Sequence, residues 1–289
     1  MTGVPKISIV TACLNDGNYL EDAVLSVLRQ GYPNFEHIVV DGGSKDRTLE
    51  VIGRYPHLRW VSEPDRGQSD ALNKGFRMAT GDVVGWLNAD EYYLPGALPA
   101  VARTAAQHPG SHFFYGDCLF VDPEGRLQRA KTAHTFDYGV LLYYGCFIVT
   151  ASTFFRRELI QDHFLLDTDY RVVMDFEYFV RSAAAGKRFQ YIDRLLGAFR
   201  WRGSNVSLQH TRRRMERLRA QHTWSALHVP DRVYDTLAKL YQGKRALMKA
   251  CNGSYPKEWR VLREATRDTV WFRSEEGFET CRRLIPAQD

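Results

Sequence analysis

Four short polar clusters in the first hundred residues carry side chains able to do chemistry. They are Asn15-Asp16-Gly17-Asn18, Asp41 to Asp46, Glu63 to Asp70 and Asn88-Ala89-Asp90-Glu91. Carboxylates are hard oxygen ligands for Mg²⁺ or Mn²⁺ and acceptors for N–H and O–H donors. An arginine such as Arg66 offers five donors to an anion or a hydroxyl. One more acidic residue, Asp175, stands far along the chain in Val173-Met174-Asp175-Phe176-Glu177. Within hydrogen-bond reach of a substrate hydroxyl, such a carboxylate is a general base. Asp167, Asp169 and Glu177 are its neighbours and rivals.

Each early cluster follows an apolar, β-branched run: Ile7 to Cys13, Phe35 to Val40, Leu58 to Ser62 and Val83 to Leu87. Between the runs, Leu20, Ala23, Val24, Val27 and Leu28 recur at helical spacing, and helices are expected over 48–55 and 69–80. Strand and helix alternate with short connections, so the expected class is α/β: a Rossmann-like, mostly parallel sheet with helices on both faces. Ligands of such sheets bind at the carboxyl ends of the strands, where all four clusters fall. Beyond Phe113 the pattern loosens. A hairpin is expected over 113–121 and 126–131, strands over 147–155, 188–192 and 197–201, and a helix over 172–185. From Thr211-Arg212-Arg213-Arg214 onward the chain reads as a basic, helical appendage.

With 289 residues, 44% of them hydrophobic, the chain can bury a full core. A mean hydropathy of -0.38 and the lack of a long uncharged apolar run exclude a spanning helix. Met1 to Lys6 has no signal-peptide apolar segment, so a cytoplasmic location is expected. Five scattered cysteines without zinc spacing read as reduced thiols. The net charge of +5 suits anionic ligands or acidic lipid, and no nucleic-acid motif accompanies it. A homo-oligomer stays open.

From Lys6 to about Leu208 these residues resemble the inverting, GT-A-fold glycosyltransferases of family 2. The resemblance rests on ordered motifs: Ile9 to Asn15, Val39-Val40-Asp41-Gly42-Gly43-Ser44, Glu63 to Gly75, Ala79 to Asp82 and Trp86 to Glu91. It implies a GT-A domain over 1–206, with a nucleotide-binding half to about 112 and an acceptor half after it, then a helical extension over 207–289. It implies transfer of a sugar from a nucleotide diphosphate sugar to a hydroxyl acceptor, a glycan or a lipid-linked one, in bacterial polysaccharide or glycoconjugate synthesis.

By this resemblance Asp41 accepts a nucleobase N–H, with Thr11 and Asn15 in the same pocket. A carboxylate there suits UDP, dTDP or GDP donors and not adenine. Asp65, Arg66, Asn73, Asn88 and Ala89 belong to the donor site, and Asp90 holds Mg²⁺ or Mn²⁺ as the last acid of a D-x-D motif that here reads Asn-Ala-Asp. Asp175 resembles the catalytic base. Where many members carry a metal-ligating histidine, this chain has Arg202, which neutralises diphosphate directly and weakens the need for metal. His210 is the substitute if its loop folds back. Among Tyr92, Tyr93, Tyr115, Tyr138, Tyr143, Tyr144 and Trp201, one or two would stack on acceptor sugars. The basic stretch 212–219 either touches anionic lipid, as a peripheral membrane contact, or is a solvated helix face.

A non-catalytic sugar-nucleotide or glycan-binding module is the rival, and it has no need of Asp175. A dehydrogenase would need a Gly-x-Gly-x-x-Gly turn after the first strand, which Ala12 to Gly17 lacks.

Overall fold

The computed structural model describes residues 4–203 and 205–264. Strands β1 (Ile7–Cys13), β2 (Phe35–Asp41), β3 (Leu58–Ser62) and β4 (Val83–Trp86) run parallel in the order β3-β2-β1-β4. Helices α1 (Leu20–Leu28), α2 (Thr48–Gly53) and α3 (Gln68–Met78) connect them. The chain steps outward from β1 to β3 and then returns to the other side of β1. The gap between the ends of β1 and β4 is therefore the switch point where such sheets open a crevice.

All seven residues of β1 are buried, because helices cover both faces. Ile7 and Ile9 pack with Ala23 and Val27 of α1 and with Leu98 and Val101. Val10 and Ala12 point the other way, against Leu72 and Phe76 of α3.

Next come β5 (Tyr92–Tyr93), α4 (Ala97–Gln107), β6 (Phe113–Val121), β7 (Leu127–Lys131), β8 (Thr153–Arg156), α5 (Glu158–Gln161), α6 (Met174–Ala184) and β9 (Phe189–Arg200). They extend the sheet as β4-β8-β6-β9-β5, with β7 hairpinned onto β6. The α/β class with helices on both faces is thus the observed one.

Three details differ from expectation. The strand expected over 147–155 is only β8, preceded by a 3-10 turn, because Phe147 turns inward to stack on His134. The strands expected over 188–192 and 197–201 are one strand, β9, with a register shift opposite Gly116 and Asp117. Helix α4 is an element the sequence reading passed over; Leu98, Val101, Ala102 and Ala105 form its buried stripe.

After β9, helices α7 (His210–Trp224), α8 (Asp231–Cys251) and α9 (Ser254–Glu264) pack back on the domain. Glu216 of α7 is buried and accepts the backbone N–H groups of Arg171, Val172 and Val173 at 2.8–3.1 Å. A carboxylate there satisfies the free amides at the entry to α6 and complements its positive end. Residues 265–289 of the expected extension, with Cys281, lie outside the described residues. Among the described residues, no helix is long and apolar enough to cross a membrane.

Candidate active site

A cavity of about 350 Å³ opens at the switch point. Its walls come from the ends of β1 and β4, the loop before α3, the first turn of α6 and the segment after β9. Four carboxylates, Asp16, Asp65, Asp90 and Asp175, line it against one guanidinium, Arg202.

Asp90 is only 9% exposed, which pushes its pKa up against the opposing pull of Arg202. The Arg202 Nε lies 2.8 Å from Asp90 Oδ2, an ion pair without hydrogen-bond alignment. Its Nη1 donates to Asp16 Oδ1 at 2.6 Å. Asn88 lines the same wall, its amide oxygen accepting from Gln68 Nε2 at 2.6 Å and Trp86 Nε1 at 3.0 Å. Ala89 is buried but touches the cavity. Asp65 takes the N–H of Gly67 at 2.6 Å. Gly67 has φ +110, and a Cβ there would lie 2.2 Å from Arg171 Nη1, so only glycine starts α3 in this way.

Asp175 sits in the first turn of α6, accepting the Phe176 N–H at 2.8 Å, with the Cys146 thiol beside it. Burial raises its pKa above the ordinary carboxylate value, which strengthens it as a base. It also lines a second cavity of about 750 Å³. The two cavities share Thr150, Val172, Asp175, Phe199 and Ser207, so Asp175 stands at their junction. Its rivals face elsewhere: Glu177 is buried and paired with Arg181 at 2.7 Å, Asp167 accepts the Asp169 N–H at 2.9 Å, and Asp169 pairs with Arg219 at 3.7 Å.

Several expected donor residues do other work. Thr11 does not line the cavity: it is fully buried one residue short of it, and its hydroxyl meets His37 Nε2 at 2.9 Å. Asn73 is a clamp within the fold, donating to Leu166 O at 2.9 Å and accepting from Leu166 N at 3.0 Å. Asn15, at φ +55, ties two loops together: its N–H donates to Ser44 Oγ at 2.7 Å and its side chain accepts the Lys45 N–H at 2.8 Å. Arg66 is exposed beyond the cavity and pairs with Asp70 at 3.3 Å. Asp41 is fully buried and its lone pairs are filled by the Ser44 and Ser62 hydroxyls and the Gly43 and Ser44 amides. Burial would raise its pKa, but these donors hold it below the usual value. It braces its own loop, Gly43 and Ser44, and does not line the cavity.

Asp16 and Gln68 also line the cavity, and sequence reasoning did not single them out. Asp16 was legible as the acid next to Asn15 at a strand end. His210 faces the second cavity rather than Asp90, as do Tyr144 and Trp201 among the aromatics; Tyr92, Tyr93 and Tyr115 are fully buried.

An uncharacterized glycosyltransferase of Mycobacterium tuberculosis is 32% identical over 189 residues, 63% of this chain and 71% of that one. A glycosyltransferase of Mycobacterium bovis named for PGL/p-HBAD biosynthesis is 32% identical over 183 residues, 61% and 69% of the two chains. The fold matches Staphylococcus aureus TarS 1-349, solved in complex with UDP-GlcNAc, with a TM-score of 0.58, 14% identity and coverage of 96% and 90%. It also matches the mannosyltransferase PcManGT of Pyrobaculum calidifontis, solved with GDP-Man and Mn²⁺, with a TM-score of 0.59, 18% identity and coverage of 97% and 86%. The model of glycosyl transferase family 2 matches residues 8–164, and the chain belongs to that family.

Proposed function

We propose that this glycosyltransferase is an inverting enzyme that takes its sugar from a nucleotide diphosphate donor bound in the first cavity. The observation that carries the reading is the place of Asp175 between two cavities. A donor in the first presents its anomeric carbon toward the junction, and an acceptor in the second presents a hydroxyl there. Asp175 takes the hydroxyl proton as the oxygen bonds to the anomeric carbon and the bond to the diphosphate breaks on the far side. One carboxylate acting in one displacement inverts the configuration. Two solved structures that share the fold hold UDP-GlcNAc and GDP-Man, which supports a nucleotide-sugar donor for this chain.

The first cavity is acidic, and a diphosphate adds more negative charge. Arg202 alone does not balance Asp16 and Asp90, so the residues fit a donor that arrives with Mg²⁺ or Mn²⁺. Asp90 and Asp16 would hold such a cation, with oxygens of the donor as further ligands. When bound, the cation supplies Lewis-acid neutralisation of the leaving diphosphate. Release of Arg202 from Asp90 then gives the phosphates a guanidinium partner.

Thermal-shift titration with UDP, dTDP and GDP, each with and without Mn²⁺, tests the donor half. At least one should raise the melting temperature, more so with Mn²⁺. No shift from any of them at millimolar concentration refutes the donor reading.

A further inference from the structure

The second cavity is as basic as the first is acidic. Arg129 and Lys131 of β7 form one wall, and Arg213, Arg214 and Arg217 of α7 form the other, against the carboxylates Asp175 and Asp235. Asp235 is taken by Arg214 in a two-pronged pair at 3.1 and 3.2 Å. The other four cations have no carboxylate within ion-pair distance among the described residues. Arg129 lies over the Phe120 ring at 4.2 Å. Arg213 donates to Ser207 O at 3.2 Å and meets His210 Nδ1 at 3.1 Å. Arg217 donates through Nη2 to the carbonyls of Tyr143 and Tyr144, while its Nε has no partner among the described residues.

Cations gathered without anions repel one another. The Arg217 pKa is drawn down by burial and then by neighbouring Arg213, although an arginine stays charged at any working pH. Such a cluster becomes favourable when an anion enters. After Asp175 and the Arg214 pair are set aside, the surplus is about three charges, more than one carboxylate neutralises. A phosphate monoester carries roughly 1.5 to 2 negative charges and three acceptor oxygens. Three arginines of the basic stretch of α7, Arg213, Arg214 and Arg217, line the cavity that reaches the proposed base, and Arg213 and Arg214 stay exposed at its rim.

We propose that the acceptor of this enzyme carries a phosphate group, which binds between Arg129 on β7 and Arg213 and Arg217 on α7 while its hydroxyl lies at Asp175. This rests on the assignment of the two cavities to donor and acceptor. The phosphate belongs either to a soluble sugar or polyol phosphate or to a lipid-linked headgroup, and both offer the same oxygens to the arginine forks.

Calorimetric titration of the full chain tests this with glucose 1-phosphate against glucose, and 1-oleoylglycerol 3-phosphate, which keeps a free hydroxyl, against 1-oleoylglycerol. At least one phosphorylated probe should bind at least about tenfold more tightly than its neutral parent, as charge-assisted hydrogen bonds imply. Preference for glucose 1-phosphate marks a soluble source, and for 1-oleoylglycerol 3-phosphate a lipid one. Arg213→Gln and Arg129→Gln should each weaken that probe at least about fivefold, with UDP affinity and the melting temperature unchanged. These two are chosen because Arg217 also holds two carbonyls of the fold. Equal affinity for neutral and phosphorylated probes, or undiminished phosphate binding in both variants, overturns the proposal. If UDP fails to bind while the phosphate preference persists and is lost in the variants, the donor assignment fails and the anion site stands.

Discussion

Replacing Asp175 by Asn separates catalysis from architecture, because the two roles predict opposite signs. The amide oxygen of Asn still accepts the Phe176 N–H, now 2.8 Å from Asp175, so α6 starts as before. What disappears is the proton acceptor. Loss of a general base costs about 10² to 10⁴ in kcat, or about 3 to 5 kcal/mol of transition-state stabilisation. Stability should move the other way. Burial raises the folded pKa of Asp175, so its ionised form costs free energy in the folded chain at every pH above that value. A neutral Asn removes that cost, and the melting temperature at pH 8 should stay level or rise. In the wild type, kcat/KM should fall on the acid side with a midpoint above the ordinary carboxylate range, because the raised pKa protonates the base early. The assay is release of nucleoside diphosphate in the presence of acceptor, beside thermal melts of both proteins. Turnover within threefold of wild type refutes the base assignment. A lower melting temperature together with lost activity would mean that Asp175 is structural.

The other expectations concern the donor site and the core. Asn73→Ala leaves both backbone groups of Leu166 without partners, so it should destabilise by about 2 to 4 kcal/mol in urea melts with the donor KM unchanged; weaker donor binding at full stability would make Asn73 a ligand after all. Asp90→Asn, or EDTA on the wild type, should lower nucleotide diphosphate affinity about tenfold or more, and equal affinities in isothermal titration would refute a cation at Asp90. Burial drops the His37 pKa to about 3 from its ordinary 6.5. The unfolded chain then gains a proton that the folded one refuses, and stability is lost as pH falls from about 6.5 toward about 3. Between pH 7 and 5 this amounts to about 2 kcal/mol by linkage. His37→Gln should flatten that slope in denaturant melts, and an unchanged slope counts against the buried neutral imidazole.

The parallel half of the fold was legible because its signals are local. Each strand from Ile7 to Trp86 is a short β-branched run that ends in a polar cluster, and the clusters after β1, β3 and β4 line the crevice. The second half was harder. Tyr92–Tyr93 is too short to signal a strand, and β9 bends through a register shift at Asp193 and Arg194 that breaks its period of two. Helix α4, with its alanine-rich stripe, carried a signal that went unread.

Within the site, the limit of sequence reasoning lies between knowing that a residue is near a strand end and knowing which way it points. Thr11 lies between the strand interior and the cavity-lining Ala12 and Cys13, yet it is fully buried and bonded to His37 instead. Asp41 shares the face of its register partner Cys13, and its own loop supplies enough donors to fill it. Asp175 is the converse case. Its motif singles it out as the proposed base, while the start of its helix is held by Glu216, forty-one residues later on a basic helix, whose carboxylate gathers the amides that lead into α6. That helix brings Arg213 and Arg217 to the cavity wall with the same turn that seats Glu216. The buried anion and the basic wall are therefore coupled. Any change that frees α7 from the entry to α6 should loosen the proposed base and the proposed acceptor site together, which no local pattern in the sequence could have shown.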